Sequence, residues 1–228
     1  MIPLRDDNPI ASTPVVNYTL IGLCVITFVW QLTLGPSGGE RAVFALGVIP
    51  SVLLGHAELA PEVGAVPPVI SLVTAMFLHG GVLHLAGNML YLWIFGDNIE
   101  DAMGRVRYVA FYLLCGVAAA LAQALPNPSS AVPMIGASGA ISGVLGAYLM
   151  LFPRAHVLVL IPLGFVSQLI RLPAMWVLLL WFVLQLLSNT LGGDSGVAFS
   201  AHIGGFVTGA LLVILFKRRS VPLGILRG

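Results

Sequence analysis

Residues 136–152 read GASGAISGVLGAYLMLF, an apolar run without a charge whose only early interruption is a hydroxyl in the turn Gly136-Ala137-Ser138-Gly139. Gly139, Gly143 and Gly146 recur at i, i+4 and i+7, one stripe of a helix along which a neighbouring backbone can approach closely. A second apolar run, residues 197–216, carries Ala198, His202, Gly205 and Gly209 on one stripe, with Gly205 and Gly209 forming a Gly-x-x-x-Gly pair. The two runs are expected to touch. Ser138 begins one stripe and His202 lies on the other, so a hydroxyl-to-imidazole hydrogen bond is geometrically open. Such stripes are also ordinary membrane packing, and packing and chemistry are compatible here.

Working outward, the chain of 228 residues is 58% hydrophobic and 8% charged, with a mean hydropathy of +1.01. Soluble domains carry roughly 25% charged residues, so this chain belongs in lipid, with room for one helical bundle and no second soluble domain. A net charge of +1 gives no reason to expect nucleic acid. Runs of about 20 apolar residues are the spanning signal, and they fall at 15–34, a shorter 81–95, 108–125, 136–152, 172–191 and 197–216. The fold expected is therefore all-α, a six-transmembrane-helix bundle with both termini on one side.

Residues 156–170 are also greasy, but Pro162 and Gly164 break them, valine enriches them, and Arg154 and Arg171 flank them. They read as an interfacial hairpin or hydrophobic loop, because a seventh span would separate Lys217, Arg218 and Arg219 from Arg105 and Arg107, against the positive-inside rule. With six spans, Arg5, Arg105, Arg107, Arg154, Arg171, Lys217, Arg218, Arg219 and Arg227 share one face, the cytoplasmic one, and Arg41 alone lies opposite. The expected organisation is a short cytoplasmic segment at 1–14, a six-span unit at 15–216 and a basic cytoplasmic tail at 217–228. Within the unit, 35–68 form an external loop rich in Gly and Pro, suited to short helices and turns, and 153–171 form a cytoplasmic hydrophobic loop. Arg5 beside Asp6 and Asp7 is unlike the basic start of a signal peptide. Cys24 and Cys115 lie within apolar runs and read as buried small hydrophobes.

Counting about 1.5 Å of helical rise per residue from each cytoplasmic border places His84 roughly 20 Å, and Ser138 and His202 roughly 22 Å, into the membrane. Against a hydrocarbon core near 30 Å, that common level is below the outer surface and above the midplane. Polar groups at that depth are costly and mark function. A serine becomes nucleophilic when a base takes its proton, and a neutral histidine can do so and later protonate a leaving amine. Asp97, Glu100 and Asp101 fall on the cytoplasmic side and Asp194 in an external loop, so no carboxylate is placed to join a Ser138-His202 dyad. His84 and Asn88, at i and i+4 on one helix face, and the Ser138 amide near a helix start could donate to an oxyanion. Singly, each residue has a bland reading: a serine bonded to its own backbone, a histidine facing water, an asparagine gluing helices.

Together these residues resemble the rhomboid intramembrane serine proteases, from about the first span to Phe216. His84-Leu-Ala-Gly-Asn88 matches the family's H-x-x-x-N, Gly96-x-x-x-Glu100-x-x-x-Gly104-Arg105 the signature after it, Gly136-Ala-Ser138-Gly139 its G-x-S-G, and Ala201-His202-x-x-Gly205 its last-span pattern. The resemblance implies Ser138 as nucleophile, His202 as general base, and His84, Asn88 and the Ser138 amide as oxyanion hole. Gly136, Gly139, Gly205 and Gly209 would support backbone shape and helix packing, and Glu100 and Arg105 would be structural. It also implies transmembrane helices as substrates, cut near their outer ends where they unwind, with the fifth span, carrying Trp176, Trp181 and Phe182, or the external loop as the entry. Two departures stand out. Ser142 occupies a position where some members place an aromatic ring under the histidine, and the external loop lacks a Trp-Arg pair found in others.

No metal, cofactor or nucleic acid is expected, and the sequence sets no oligomeric state. A zinc protease needs ligands such as His-Glu-x-x-His, which His79 and His84 do not make, and Asp97 and Asp194 lie on opposite sides of the bilayer, which rejects an aspartyl pair. A transporter finds no repeated halves or intramembrane charges. The alternative from another class is a catalytically silent rhomboid-like protein that binds or escorts membrane helices. The compact six-span form suggests a prokaryotic plasma membrane.

Overall fold

The computed structural model describes residues 1–64, 66–163, 166–191 and 198–226. Gly164, Asp194, Val197 and Arg227, which the sequence places in the hairpin, an external loop, the start of the last span and the basic tail, lie outside the described residues.

The chain starts with a strand, β1 (Ile2–Asp6), and then α1 (Val15–Thr33), whose first turn begins just after Pro14. The helix start is held from another segment: the Val16 and Asn17 amides donate to the two oxygens of Glu100 at 3.1 and 2.7 Å. These are among the four N–H groups that a helix cannot satisfy internally, and a buried carboxylate there also meets the positive end of the helix dipole. Asn17 extends the cluster, giving Nδ2–H to the Leu92 carbonyl and accepting the Tyr108 hydroxyl at 2.8 Å. Glu100 and Asn17 are thus buried polar groups with partners, as burial requires, and Glu100 has the structural part expected of it.

Short helices follow in the loop region: α2 (Gly35–Leu46), α3 (Pro50–Leu53) and α4 (Pro68–Thr74), the last two opening on a proline whose missing N–H costs nothing there. An antiparallel bridge between Val48 and Met134 ties this layer to the segment that leads into the Ser138 helix. With α1, the long helices are α5 (Val82–Met103), α6 (Arg105–Ala124), α7 (Ser138–Leu151), α8 (Ala174–Leu191) and α9 (Phe199–Phe216). Helix α5 stops at Gly104, whose φ of +84° lets the chain reverse into α6 after one residue.

All six apolar runs are helical. By length and composition α1, α6 and α9 suffice to cross a membrane, and α5 makes a fourth if it and Pro61–Phe77, meeting at 82°, count as one broken span. Helices α7 and α8 are shorter apolar helices.

The all-α expectation needs one correction, a three-stranded antiparallel sheet in the order β1, β2 (His156–Leu163), β3 (Val166–Pro173). The stretch read as a hairpin or loop is a hairpin, with His156 opposite Pro173 and Ile161 opposite Gln168. The segment 1–14, for which no strand was expected, adds the third strand by pairing Ile2 with Leu160 and Asp6 with Val157. Beyond the strand, the Ala11 amide and Ser12 hydroxyl donate to Asp101 at the end of α5. On the same end of the bundle, the Arg218 amide donates to the Ala102 carbonyl. Both chain ends, the hairpin and the α5–α6 turn therefore gather at one end.

Helices α7 and α9 form the tightest seam. A methyl group added at Gly205 would collide with the Gly139 carbonyl oxygen, one at Gly209 with the Gly143 carbonyl, and one at Gly146 with the Phe206 carbonyl. Backbone lies against backbone, the contact that small-residue stripes allow. Around it sits the core, with Phe95, Phe111, Tyr112, Val144, Leu145 and Tyr148 buried. Cys24 and Cys115 are buried free thiols.

Candidate active site

Ser138 is the first residue of α7, and His202 lies in the first turn of α9. The α7–α9 seam puts them face to face: the Ser138 hydroxyl and His202 Nε2 are 2.9 Å apart, a hydrogen-bond distance. The polar groups are not buried blind. They open on a cavity of about 1280 Å³ whose polar lining includes Gln123, Asn127, Ser129, Ser130, Ser188 and Asn189. The space is polar and roomy enough to bring water to the hydroxyl.

His202 is held from its other side by a residue that sequence reasoning missed. Its Nδ1 lies 2.7 Å from Oε1 of Gln185 on α8. An amide oxygen can only accept, so Nδ1 carries the hydrogen in the neutral ring and Nε2 keeps the lone pair that faces Ser138. One tautomer satisfies both contacts. The same helix supplies Trp181, whose ring lies 5.9 Å from the imidazole at an interplanar angle of 36°, and Phe199 stands edge-on at 6.4 Å. Ser142, found where an aromatic ring was a possible support, instead donates its hydroxyl to the Ser138 carbonyl at 2.6 Å. The hint in the sequence was Gln185, an amide midway through an apolar helix, four residues after Trp181.

Beside the serine, Gly136 has φ +123° and its amide donates to the Ala75 carbonyl at 2.9 Å. A side chain there is excluded twice, by the backbone angle and by space, since a Cβ would sit 2.8 Å from Cε1 and Nε2 of His84. That closeness places His84 and Asn88 of α5 against the Gly136-Ala137-Ser138 turn. The Gly80 amide donates to His84 Nδ1 at 3.3 Å, which leaves the hydrogen of the neutral ring on Nε2. Asn88 Nδ2 is buried and has no hydrogen-bond partner among the described residues. The first amides of α7 have no intrahelical acceptor. Three kinds of donor thus converge beside one hydroxyl, an arrangement able to hold an oxygen that gains negative charge.

His79 has no part in that set but shapes it. Gln31 accepts its amide and donates to its carbonyl, and its ring meets that of His84 edge-on at 5.2 Å. No group of three or more His, Cys, Asp or Glu residues able to hold a metal occurs among the described residues. Asp97, Glu100 and Asp101 lie at the far end of α5, away from the serine.

The family profile described as the Rhomboid domain matches residues 67–219. The chain belongs to the rhomboid family, and it is an integral membrane protein. Among its curated relatives, RHOMBOID-like protein 5 of Arabidopsis thaliana is 33% identical over 62% of this chain and 42% of its own length. Rhomboid protease GluP of Bacillus subtilis is 32% identical over 60% of this chain and 24% of its own. Rhomboid protease AarA of Providencia stuartii is 33% identical over 62% of this chain and 54% of its own. The chain thus spans between about a quarter and a half of the length of these relatives, which include proteases.

Proposed function

We propose that this chain is an intramembrane serine endopeptidase that cuts transmembrane helices of other proteins near their outer ends. The observation that carries the reading is the 2.9 Å contact between Ser138 and His202 Nε2, in a tautomer suited to accept the serine proton. In the first step the hydroxyl proton passes to Nε2 while Oγ bonds to the scissile carbonyl carbon. The carbonyl oxygen takes up the charge, facing the Ser138 amide, Asn88 Nδ2 and His84 Nε2–H. Collapse of that intermediate breaks the C–N bond, and the imidazolium gives its proton to the departing amine. Water from the cavity, deprotonated by the same ring, then hydrolyses the acyl-serine and frees the enzyme.

The substrate class follows from the depth of the site. A helix in lipid conceals its carbonyls in its own hydrogen bonds, so only a segment that unwinds readily offers an extended backbone to Ser138. Six spans, α1 and α5 to α9, with both termini cytoplasmic, accommodate this. Helix α7, at 14 residues, rises only about 21 Å. Its outer continuation is the irregular stretch 126–137, much of which lines the cavity, the one setting in which non-helical backbone is tolerated at membrane depth. The gathering of Arg5, Arg105, Arg107, Arg154, Arg171 and Lys217–Arg219 towards the opposite end supports that end as cytoplasmic.

The test is cleavage of a helical substrate by purified protein in detergent or liposomes. Wild type is expected to cut, and Ser138→Ala and His202→Ala each to lose about 10⁴-fold or more in rate, in keeping with removal of a nucleophile or its base. Equal cleavage by all three would overturn the dyad, and none by any would favour a helix-binding, silent member of the family.

A further inference from the structure

Helix α8 is held unevenly along its length. Its inner end is buried through Ala174, Val177 and Leu178. Further out, Val183, Leu184, Leu186 and Leu187 are exposed, and the stripe Trp181, Phe182, Gln185 and Ser188 faces inward. That stripe meets α9 through side chains alone: Trp181 and Gln185 on His202, Phe182 stacked on Phe206 with centroids 4.5 Å apart, and Asn189 accepting from Ser200 at 2.8 Å. Nothing here resembles the backbone contact between α7 and α9.

We infer that Gln185 is the positioning residue of the catalytic histidine, and that it makes the reactive tautomer of His202 depend on α8 being seated against α9. This rests on the protease reading of Ser138 and His202. The Gln185 oxygen holds the Nδ1 hydrogen, so the lone pair stays on Nε2. When the outer half of α8 swings into lipid, the bond breaks and the ring can take the other tautomer. In that form Nε2–H points at the Ser138 oxygen and no base faces the hydroxyl proton. The proton step itself is unaltered: Oγ–H gives its proton to Nε2, and the imidazolium keeps Nδ1–H on Gln185 until Nε2–H is passed to the leaving amine. A neutral amide thereby does the orienting that a carboxylate does in three-residue serine sites, and it is mounted on the least firmly packed of the long helices. Substrate entry past α8 and chemistry at Ser138 would then alternate, with cleavage following only once α8 has closed on the bound segment.

The experiment compares wild type, Gln185→Leu and Gln185→Glu with one helical substrate, recording kcat, KM and the pH profile, alongside ¹⁵N spectra of the histidine rings in detergent. Gln185→Leu is expected to lower kcat about 10- to 100-fold, up to the bottom of the roughly 10²–10⁴-fold range of general acid–base catalysis because the base itself is kept, with KM within about twofold. Gln185→Glu restores an acceptor and is expected to recover most of kcat, with the acid limb of the profile shifted to higher pH because a carboxylate favours the imidazolium. The wild-type spectrum is expected to show Nδ1 protonated and Nε2 bare on His202, and the leucine variant a mixture. Unchanged kcat in Gln185→Leu, a glutamate variant no better than the leucine one, or a wild-type ring protonated at Nε2 would each overturn the inference while cleavage by wild type leaves the protease reading intact. Failure of wild type itself to cleave would strike the protease reading, and the ring spectra would still decide the role of Gln185.

Discussion

Two contacts converge on His202, and they are built from different materials. Towards α7 the ring is brought in by a seam in which Gly146, Gly205 and Gly209 leave no room for a methyl group. Towards α8 it is met by Trp181, Gln185 and, one turn below, by Phe182 stacked on Phe206, side-chain contacts from a helix whose outer half is largely exposed. The seam fixes the separation of the reacting atoms, because a backbone contact has no rotamers to rearrange. The side-chain contact sets which ring nitrogen is bare, and it contains no backbone atom of α7 or α9. Under the proposed protease reading, a site that both holds atoms at 2.9 Å and admits a helix gains from dividing the two tasks in this way.

The division can be broken at either half. Gly209→Leu drives a side chain into the Gly143 carbonyl, where overpacking costs about 1–3 kcal/mol or more. It should lower the unfolding midpoint markedly and abolish cleavage together, measured by thermal unfolding in detergent and by the helix assay. Retained activity at wild-type stability would show that the seam is not what sets the dyad. Phe182→Ala removes an aromatic pair worth about 0.5–1.5 kcal/mol from the yielding half. The unfolding midpoint should fall less than in Gly209→Leu, and cleavage should persist with a reduced kcat. A loss as complete as that of Gly209→Leu would mean α8 is as rigid a part of the bundle as α9.

Much of this was legible in the chain. The six apolar runs are the six long helices, since a stretch of lipid-compatible residues must satisfy its backbone internally. The positions of Ser138, His202, His84 and Asn88 could be read because each is a polar group that an apolar run does not need. The hairpin at His156–Pro173 was open to reading from its valines and Pro162. Its third strand was not: Ile2–Asp6 is five residues long, contains a proline, and pairs with a partner far along the chain, and pairing at that distance leaves no periodic trace. Gln185 was missed for a related reason. Whether one amide in an apolar helix meets His202 or lipid depends on the rotation of α8 about its axis, which the Phe182–Phe206 packing decides rather than any local pattern.

In the proposed reaction Ser138 is a nucleophile armed by His202. A fluorophosphonate probe offered to the protein in native membranes, followed by peptide mass analysis, reads this without any substrate. Covalent phosphonylation is expected to be confined to Ser138 in wild type and lost in His202→Ala. A wild-type serine that stays unmodified, or one modified equally without His202, would contradict it.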